Sequence, residues 1–301
     1  MLYKNFMKMV GNTPVVGFQS DLGLPVELYI KLEGFNPTGS VKDRASLALI
    51  NHKIETKELV PGKTILDASS GSFACSVAFF GKINNYPVTV VTGNKMTNDK
   101  VAFIEYFGAE RISHGSFTIE GNRYCSETLF ARDPEKYCFL DQLHNWKNPE
   151  IHYKTTGPEI LSDIPDISAV AFSLGSGGTL NGVSKYIKEK RPDIKIIATT
   201  SASGTKIPGT GAFVDGDYVT PFIAESKKNN HFDYTAVVNQ DQAVKRVKEL
   251  RKYGFYVGIQ TGAVYQGMID GVRELNIQGK VLIISGDAGW KNMDKLISLV
   301  Y

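Results

Sequence analysis

The feature that most constrains this chain is a repeated alternation of short apolar runs with segments of helical periodicity. The apolar runs have the length of buried strands, and most are followed by a helix-like segment. This alternation is typical of parallel sheets that are covered by helices on both faces. The predicted strands span residues 63–69, 87–93, 169–175, 195–201 and 280–286, and the predicted helices span residues 73–84, 98–108, 180–190 and 242–254.

The alternating segments fall into two groups that separate near residues 141–150. With 301 residues, the chain is long enough for two domains. We therefore expect an α/β fold of two doubly wound domains with parallel-rich sheets, spanning residues 1–145 and 146–301. The chain up to about residue 35 could pack on the second domain. Ligands of open parallel sheets bind at the carboxyl ends of the strands, so functional residues are expected in the loops that follow them.

Composition excludes several functional classes. The 34 basic and 31 acidic residues are nearly balanced and form no long basic run, so no nucleic-acid partner is expected. No apolar stretch approaches membrane-spanning length, and the start of the chain lacks the apolar segment of a signal peptide. Cys75, Cys125 and Cys138 lack paired spacing, which fits a reducing, cytoplasmic location. The five histidines lack ligand spacing, so no metal site is expected.

Residues 36–44, NPTGSVKDR, carry a lysine in an unusual position. The Asn-Pro and Thr-Gly pairs predict a turn. Ser40 could cap the helix that follows, with Asp43 as its partner in a partial capping box. Lys42 would then lie in the first helical turn, where the helix dipole favours the neutral amine. A neutral amine is what Schiff-base chemistry requires. A solvent-facing lysine remains the alternative interpretation.

A glycine-rich turn, GSGGT at residues 175–179, lies between a predicted strand and a predicted helix. Consecutive backbone N–H groups at a helix N-terminus form a cup for an anion. The turn lacks the Gly-Lys-Ser/Thr of a nucleotide-binding P-loop. The next strand lacks the acidic residue that a dinucleotide ribose requires. A small phosphate monoester fits this turn best, and a plain strand-to-helix turn remains the alternative.

A third loop, SSGSF at residues 69–73, also follows a predicted strand and precedes a predicted helix. Its small hydroxyl residues at a helix N-terminus suit a carboxylate. Ordinary helix capping by Ser69 or Ser70 is the alternative interpretation. Cys75, one turn into that helix, is expected to be a buried small hydrophobic residue.

Taken in this order and spacing, the loops resemble the cysteine synthase (O-acetylserine or O-phosphoserine sulfhydrylase) family of fold-type II pyridoxal-phosphate (PLP) enzymes. The resemblance covers nearly the whole chain. It rests on residues 10–14, 31–33, 36–40, 42–44, 148–152, 154–159, 175–179, 258–263 and 287–291. It implies a fold like that of the tryptophan synthase β-subunit, with PLP in the cleft between two α/β domains.

The resemblance also implies roles for individual residues. Lys42 would bind PLP as a Schiff base and later move the α-proton of the substrate. The cofactor phosphate would be held by Gly175, Ser176, Gly177, Gly178 and Thr179. The substrate carboxylate would be bound by Ser69, Ser70, Gly71, Phe73 and Gln142.

Three positions depart from the family pattern. The asparagine that bonds the 3′-oxygen of PLP is replaced by Ser72, and a carboxylate-binding threonine is replaced by Phe73. The serine that contacts the pyridine nitrogen is replaced by Ala288. Three nearby side chains are candidates to replace that contact: Gln260, Thr261 and Ser285.

The reaction that the resemblance implies is β-replacement. A leaving group departs from the β-carbon of O-acetylserine or O-phosphoserine to give an α-aminoacrylate, and sulfide or another nucleophile then adds. Net β-elimination from cysteine or serine is an alternative, and so is a degenerate homologue that binds PLP but turns over poorly. The family is usually homodimeric. Residues 287–291 also resemble the branch that receives sulfur from a carrier protein.

Overall fold

Two separate β-sheets organise the computed structural model, which describes residues 2–69, 71–94 and 96–300. The larger sheet has six strands in the order β1-β2-β10-β7-β8-β9, and the smaller has four in the order β5-β4-β3-β6. The larger sheet consists of β1 (Val15–Phe18), β2 (Val26–Leu32), β7 (Ile167–Ser173), β8 (Lys195–Ser201), β9 (Tyr234–Val238) and β10 (Gly279–Ser285). The smaller consists of β3 (Thr64–Ala68), β4 (Val88–Thr92), β5 (Glu110–Ser113) and β6 (Tyr137–Phe139).

Helices connect most of the parallel strands and cover the sheets. They are α1 (Lys42–Glu55), α2 (Ser72–Ile83), α3 (Asn98–Tyr106), α4 (Thr118–Arg123), α5 (Lys147–Ile151), α6 (Gly157–Asp163), α7 (Gly178–Lys190), α8 (Pro221–Lys228), α9 (Gln240–Lys252), α10 (Ile259–Glu274) and α11 (Met293–Val300). Two π-helical segments, Tyr124–Phe130 and His152–Thr156, extend α4 and α5, and short 3₁₀ helices cover Phe6–Met9, Glu33–Phe35, Phe213–Asp215 and Gly289–Asn292.

The pairing of the strands confirms the predicted α/β fold with parallel-rich sheets. Strands β1 and β2 are antiparallel to each other, and the other described pairs of neighbouring strands are parallel. Every residue of β3 and β4 is buried, as expected for strands covered on both faces. In the part of the chain that the structure describes, no helix is both long enough and apolar enough to cross a membrane.

The early strands β1 and β2 lie in the larger sheet, although the chain then enters the smaller one. Strand β2 pairs along its whole length with β10, so that Ile30 lies beside Ile283. The carboxyl end of β10 therefore lies close to residues 36–44, which follow β2. This placement brings residues 36–44 to the edge of the larger sheet where its parallel strands end. Most strands of that sheet come from the second half of the chain.

The predicted capping box at the start of α1 is wrong. The hydroxyl of Ser40 does accept a hydrogen bond from the backbone N–H of Lys42 at 3.1 Å. The carboxylate of Asp43, however, is fully buried and accepts hydrogen bonds from the backbone N–H (2.7 Å) and the hydroxyl of Thr38, and another from the hydroxyl of Ser76. Asp43 therefore closes the turn that precedes the helix and fixes it against α2.

Candidate active site

The loop that carries Lys42 is fixed to the carboxyl end of β10. The backbone N–H of Val41 donates to the carbonyl of Gly286 at 2.8 Å, and the N–H of Ala288 donates to the carbonyl of Gly39 at 2.9 Å. Gly39 has a φ of +77°, and a Cβ there would lie 2.4 Å from the ring of Trp290. The turn therefore requires glycine for both its backbone conformation and its packing.

Lys42 is the first residue of α1, and its amine faces the glycine-rich turn. Its Nζ donates to the hydroxyl of Ser176 at 3.3 Å, which joins two loops that are 134 residues apart in the sequence. Burial lowers the pKa of Lys42, while the Asp287 carboxylate acts in the opposite direction. Desolvation thus adds to the helix dipole that was expected at this position from the sequence. Burial and the helix dipole both favour the neutral amine that a Schiff base requires.

The glycine-rich turn leads from β7 into α7 and leaves no room for side chains at its glycines. Gly177 has a φ of +85° and precedes the first residue of α7. A Cβ on Gly178 would lie 2.2 Å from Oδ1 of Asn148, and one on Gly175 would lie 2.7 Å from the carbonyl of Gly209. The first N–H groups of a helix have no partner within the helix. The turn therefore offers close-packed backbone donors to a phosphate.

A buried imidazole supports the turn from behind. Nε2 of His152 lies 3.2 Å from the hydroxyl of Thr179, and Nδ1 lies 2.9 Å from the hydroxyl of Thr156. Burial lowers the pKa of His152 to about 3, with the nearby Arg44 and Lys42 acting in the same direction. The imidazole is therefore neutral at physiological pH and holds Thr179 through a hydrogen bond.

One cavity contains Lys42 together with most of the glycine-rich turn. The predicted residues that line it are Lys42, Gly175, Ser176, Gly177 and Thr179. Gln260 lines the same cavity, and its Nε2 donates to the hydroxyl of Ser173 at 2.5 Å and to the carbonyl of Gly209 at 3.0 Å. Its Oε1 has no hydrogen-bond partner among the described residues. In contrast, the hydroxyls of Thr261 and Ser285 are buried and 2.9 Å from each other.

The loop at residues 69–73 ends the strand β3 and starts α2. The hydroxyl of Ser69 accepts a hydrogen bond from the backbone N–H of Gly71 at 3.1 Å. Phe73 is only 2% exposed and packs in the hydrophobic core of the smaller sheet, so its ring is not available to a ligand. Gln142 lies beside this loop, and its Nε2 donates to the carbonyl of Ala68 at 2.5 Å. Ser70 lies outside the residues that the structure describes.

Asp287, which follows β10, was not identified as a site residue from the sequence. Its Oδ2 accepts a hydrogen bond from the hydroxyl of Ser72 at 2.8 Å, and its Oδ1 accepts one from the hydroxyl of Ser40 at 2.6 Å. The signal that could have revealed it is its position directly after a buried strand. Ala288, the next residue, packs against Gly34 and offers only a methyl group.

The remaining histidines, cysteines and carboxylates bear on whether the chain could also hold a metal ion. Among the described residues, no three histidine, cysteine, aspartate or glutamate side chains are grouped as metal ligands would be. Cys75, Cys125 and Cys138 are buried and unpaired, and burial raises the pKa of each thiol. Cys75 has the expected role of a small core residue.

Comparisons with known proteins identify the family of this chain. The family model described as "Pyridoxal-phosphate dependent enzyme" matches residues 7–286. A cysteine synthase B of Pseudomonas aeruginosa is 33% identical over 289 residues, which cover 94% of this chain and 93% of that protein. The crystal structure of a hydrogen sulfide-producing enzyme from Fusobacterium nucleatum has a TM-score of 0.86 and 29% identity, covering 96% of this chain and 99% of that one.

A second solved structure is similar to this chain over most of its length. The O-acetylserine sulfhydrylase isoform 3 of Entamoeba histolytica has a TM-score of 0.85 and 26% identity, and covers 98% of this chain and 91% of that one. The residues present fit PLP, because a lysine amine and a cup of crowded glycines share one cavity. The chain belongs to the cysteine synthase family of fold-type II, PLP-dependent enzymes.

Proposed function

We propose that this protein catalyses β-replacement on a small β-substituted amino acid such as O-acetylserine or O-phosphoserine, with sulfide as the default nucleophile and cysteine as the product. The observation that carries the proposal is the contact between the Lys42 amine and Ser176 of the glycine-rich turn, at 3.3 Å within one cavity. The similarity to cysteine synthases over almost the whole chain supports it.

Lys42 is the residue that we propose to hold the cofactor and to carry the α-proton. When bound, PLP supplies an electron sink that labilises the α-proton and the β-leaving group. A buried amine with a lowered pKa can form the covalent link and can later take a proton. Gly175, Ser176, Gly177, Gly178 and Thr179 are proposed to hold the phosphate through their backbone N–H groups and hydroxyls.

The ring of the cofactor would meet an altered set of contacts. Ser72 is proposed to lie near the 3′-oxygen, and Ala288 is proposed to lie near the pyridine nitrogen, where its methyl group would offer no hydrogen bond. Of the three candidates to replace that contact, Gln260 has the strongest support, because it lines the cavity with an unsatisfied oxygen. The hydroxyls of Thr261 and Ser285 bond each other instead.

The substrate carboxylate is proposed to bind at the start of α2. Phe73 can contribute only its backbone N–H there, because its side chain lies in the core. Ser69, Ser70 and Gly71 complete the loop, and Gln142 lies at its side. Recognition would then depend on backbone donors and the helix dipole rather than on a threonine hydroxyl.

β-Elimination is a second candidate function, and one comparison favours it. A relative with 29% identity and a TM-score of 0.86 is described as a hydrogen sulfide-producing enzyme. In this chain, β-elimination from cysteine would consume one water, release sulfide and leave pyruvate and ammonia. The cofactor and Lys42 would serve both reactions, so the two functions differ in whether a nucleophile adds or water completes the breakdown.

A product assay distinguishes the two candidates. The holoenzyme is mixed with O-acetylserine and sulfide, with O-phosphoserine and sulfide, and separately with cysteine. Cysteine formation from the first two mixtures is the expected result, whereas pyruvate and sulfide from cysteine alone would establish elimination. A PLP absorbance spectrum that does not respond to any of the three amino acids would contradict both candidates and indicate a degenerate homologue.

The substitution Gly178→Ala is expected to weaken PLP binding at least ~10-fold, equivalent to ~1.4 kcal/mol. Its Cβ would lie 2.2 Å from Oδ1 of Asn148, whose amide is held by the carbonyl of Gln142, so the turn must shift. Titration of the PLP-free protein with PLP measures the effect. The matched control is Gly93→Ala, because a Cβ there meets nothing closer than 3.7 Å. Equal affinity in the two variants would contradict the phosphate assignment.

Several wider features are also proposals. The two sheets support a division into domains at residues 1–145 and 146–301, with β1 and β2 contributed to the second. The unpaired buried cysteines favour a reducing, cytoplasmic location.

A homodimer is expected from the family. A sulfur-carrier partner could meet Trp290, which is 42% exposed, but not Lys291, whose buried amine donates to the carbonyl of Thr38.

A further inference from the structure

The carboxylate of Asp287 connects three loops of the site. Asp287 follows β10 and is only 8% exposed. One carboxylate oxygen accepts from the hydroxyl of Ser40, before α1, at 2.6 Å, and the other accepts from the hydroxyl of Ser72, the first residue of α2, at 2.8 Å. Its own backbone is paired with Ser40 in an isolated bridge. The starts of α1 and α2 are therefore held together by one buried anion.

The same carboxylate is linked to the backbone of Lys42 through the hydroxyl of Ser40, and to the Lys42 amine by charge. Ser40, which donates its hydroxyl proton to Asp287, accepts the backbone N–H of Lys42 at 3.1 Å. Asp287 is also the charged group that opposes the effect of burial on the pKa of Lys42. It acts in the same direction on Lys100, while Lys291 acts against it there. Asp287 therefore lies among several buried amines, of which Lys42 is the one that faces the cavity.

The proposed reaction, on which this inference rests, creates a need for such a charge. When PLP is bound, a Lys42 amine that accepts the α-proton would become a cation in a desolvated position. A buried cation without a counter-charge is strongly disfavoured. Uncharged groups such as the hydroxyl of Ser176 can accept a hydrogen bond but cannot neutralise it.

We propose that Asp287 is the positioning residue and counter-charge of Lys42: its carboxylate holds the starts of α1 and α2 together and stabilises the protonated amine. Asp287 acts through Ser40 and through its field, and does not itself exchange a proton with the substrate. The prediction that follows is a shift in the pH at which Lys42 loses its proton, and not merely a loss of stability.

The test compares Asp287→Asn, which keeps the size and a hydrogen-bond acceptor but removes the charge, with Asp166→Asn, which makes the same change at an exposed carboxylate that pairs with Lys280. PLP-free protein of each kind is mixed with PLP, and the rate at which the visible band appears is followed against pH. The rate rises as the amine loses its proton. The midpoint is expected to move down by about one pH unit in Asp287→Asn, a tenfold change in acidity, and to stay at the wild-type value in Asp166→Asn.

A midpoint that is the same in Asp287→Asn and the wild type would overturn the proposal, and so would an equal shift in Asp166→Asn. If Asp287→Asn does not fold, Asp287→Ser, which is equally neutral, decides in its place. The measurement needs only PLP capture and no turnover. A wild type that captures PLP but makes no product therefore overturns the proposed function, while the midpoints still decide the role of Asp287.

Discussion

Lys42→Ala is expected to abolish the visible absorbance of the PLP-treated protein and to lower the rate of β-replacement by at least ~10³-fold. The substitution removes the amine that faces the glycine-rich turn and shares its cavity. Among the residues that the structure describes, no other lysine lines that cavity. The variant would lose both the covalent link to the cofactor and the group that carries the α-proton. Absorbance spectra after dialysis and the product assay measure the two losses separately.

Two controls separate this effect from a general loss of charge or fold. Lys42→Arg keeps a cation at the position but cannot form the covalent link, so it is expected to fail as completely as Lys42→Ala. Lys53→Ala removes a lysine from the other end of the same helix, where it pairs with the exposed Glu58, and is expected to keep the visible band. A band that survives in Lys42→Ala but disappears in Lys53→Ala would contradict the assignment of Lys42.

Much of the fold could be predicted because buried parallel strands have a strong local signal. The predicted strand at residues 63–69 contains β3, and that at residues 280–286 differs from β10 by one residue at each end. The partners of the strands had no such signal. Only the structure shows that Ile30 lies beside Ile283, a pairing across about 250 residues that depends on the packing of the whole sheet. The three-residue strand β6 is too short for a periodic pattern.

The site could be predicted in outline, because turns and helix starts are local features. The glycine-rich turn and Lys42 come together as the resemblance implies. The directions in which individual side chains point could not be predicted in the same way. Phe73 turns into the core because α2 is buried over nine of its twelve residues, so a large apolar side chain gains more there than at the site. Asp287 belongs to the site because it accepts hydrogen bonds from Ser40 and Ser72. These contacts depend on how separate loops pack together.

The start of α1 is also stabilised from behind by a buried group of charges. The guanidinium of Arg44 makes a bidentate contact with Glu33, both bonds at 2.8 Å, and two further bonds with Glu159 at 2.6 and 2.7 Å. Lys31 joins this group 3.0 Å from Glu159. Burial alone would raise the pKa of Glu33, but Arg44, together with Thr13 and Lys31, outweighs burial and lowers it to about 2. The group connects the end of β2 to α6. It includes Arg44, which follows Lys42 by two residues in α1.

Arg44→Met is therefore expected to lower the free energy of unfolding by ~3–5 kcal/mol at neutral pH, because it leaves the buried Glu33 carboxylate without the guanidinium that pairs with it and with only the neutral donors Thr13 and Asn36. Denaturant unfolding measures the loss. The matched control is Arg191→Met, which removes an exposed arginine paired with Asp193 and should cost no more than ~1 kcal/mol. A loss in Arg44→Met as small as in the control would contradict the role given to the buried group.

The pH dependence of this loss identifies its cause. In the wild type, the pKa of Glu33 is lower in the folded protein than in the unfolded chain. The stability that this shift provides is present above about pH 4.5 and is lost as the pH falls toward about 2. In Arg44→Met, burial without the guanidinium raises the pKa of Glu33, so acid relieves the buried charge instead. The difference in stability between wild type and variant should therefore shrink as the pH falls from 7 to 4, whereas a difference caused only by lost packing would stay constant.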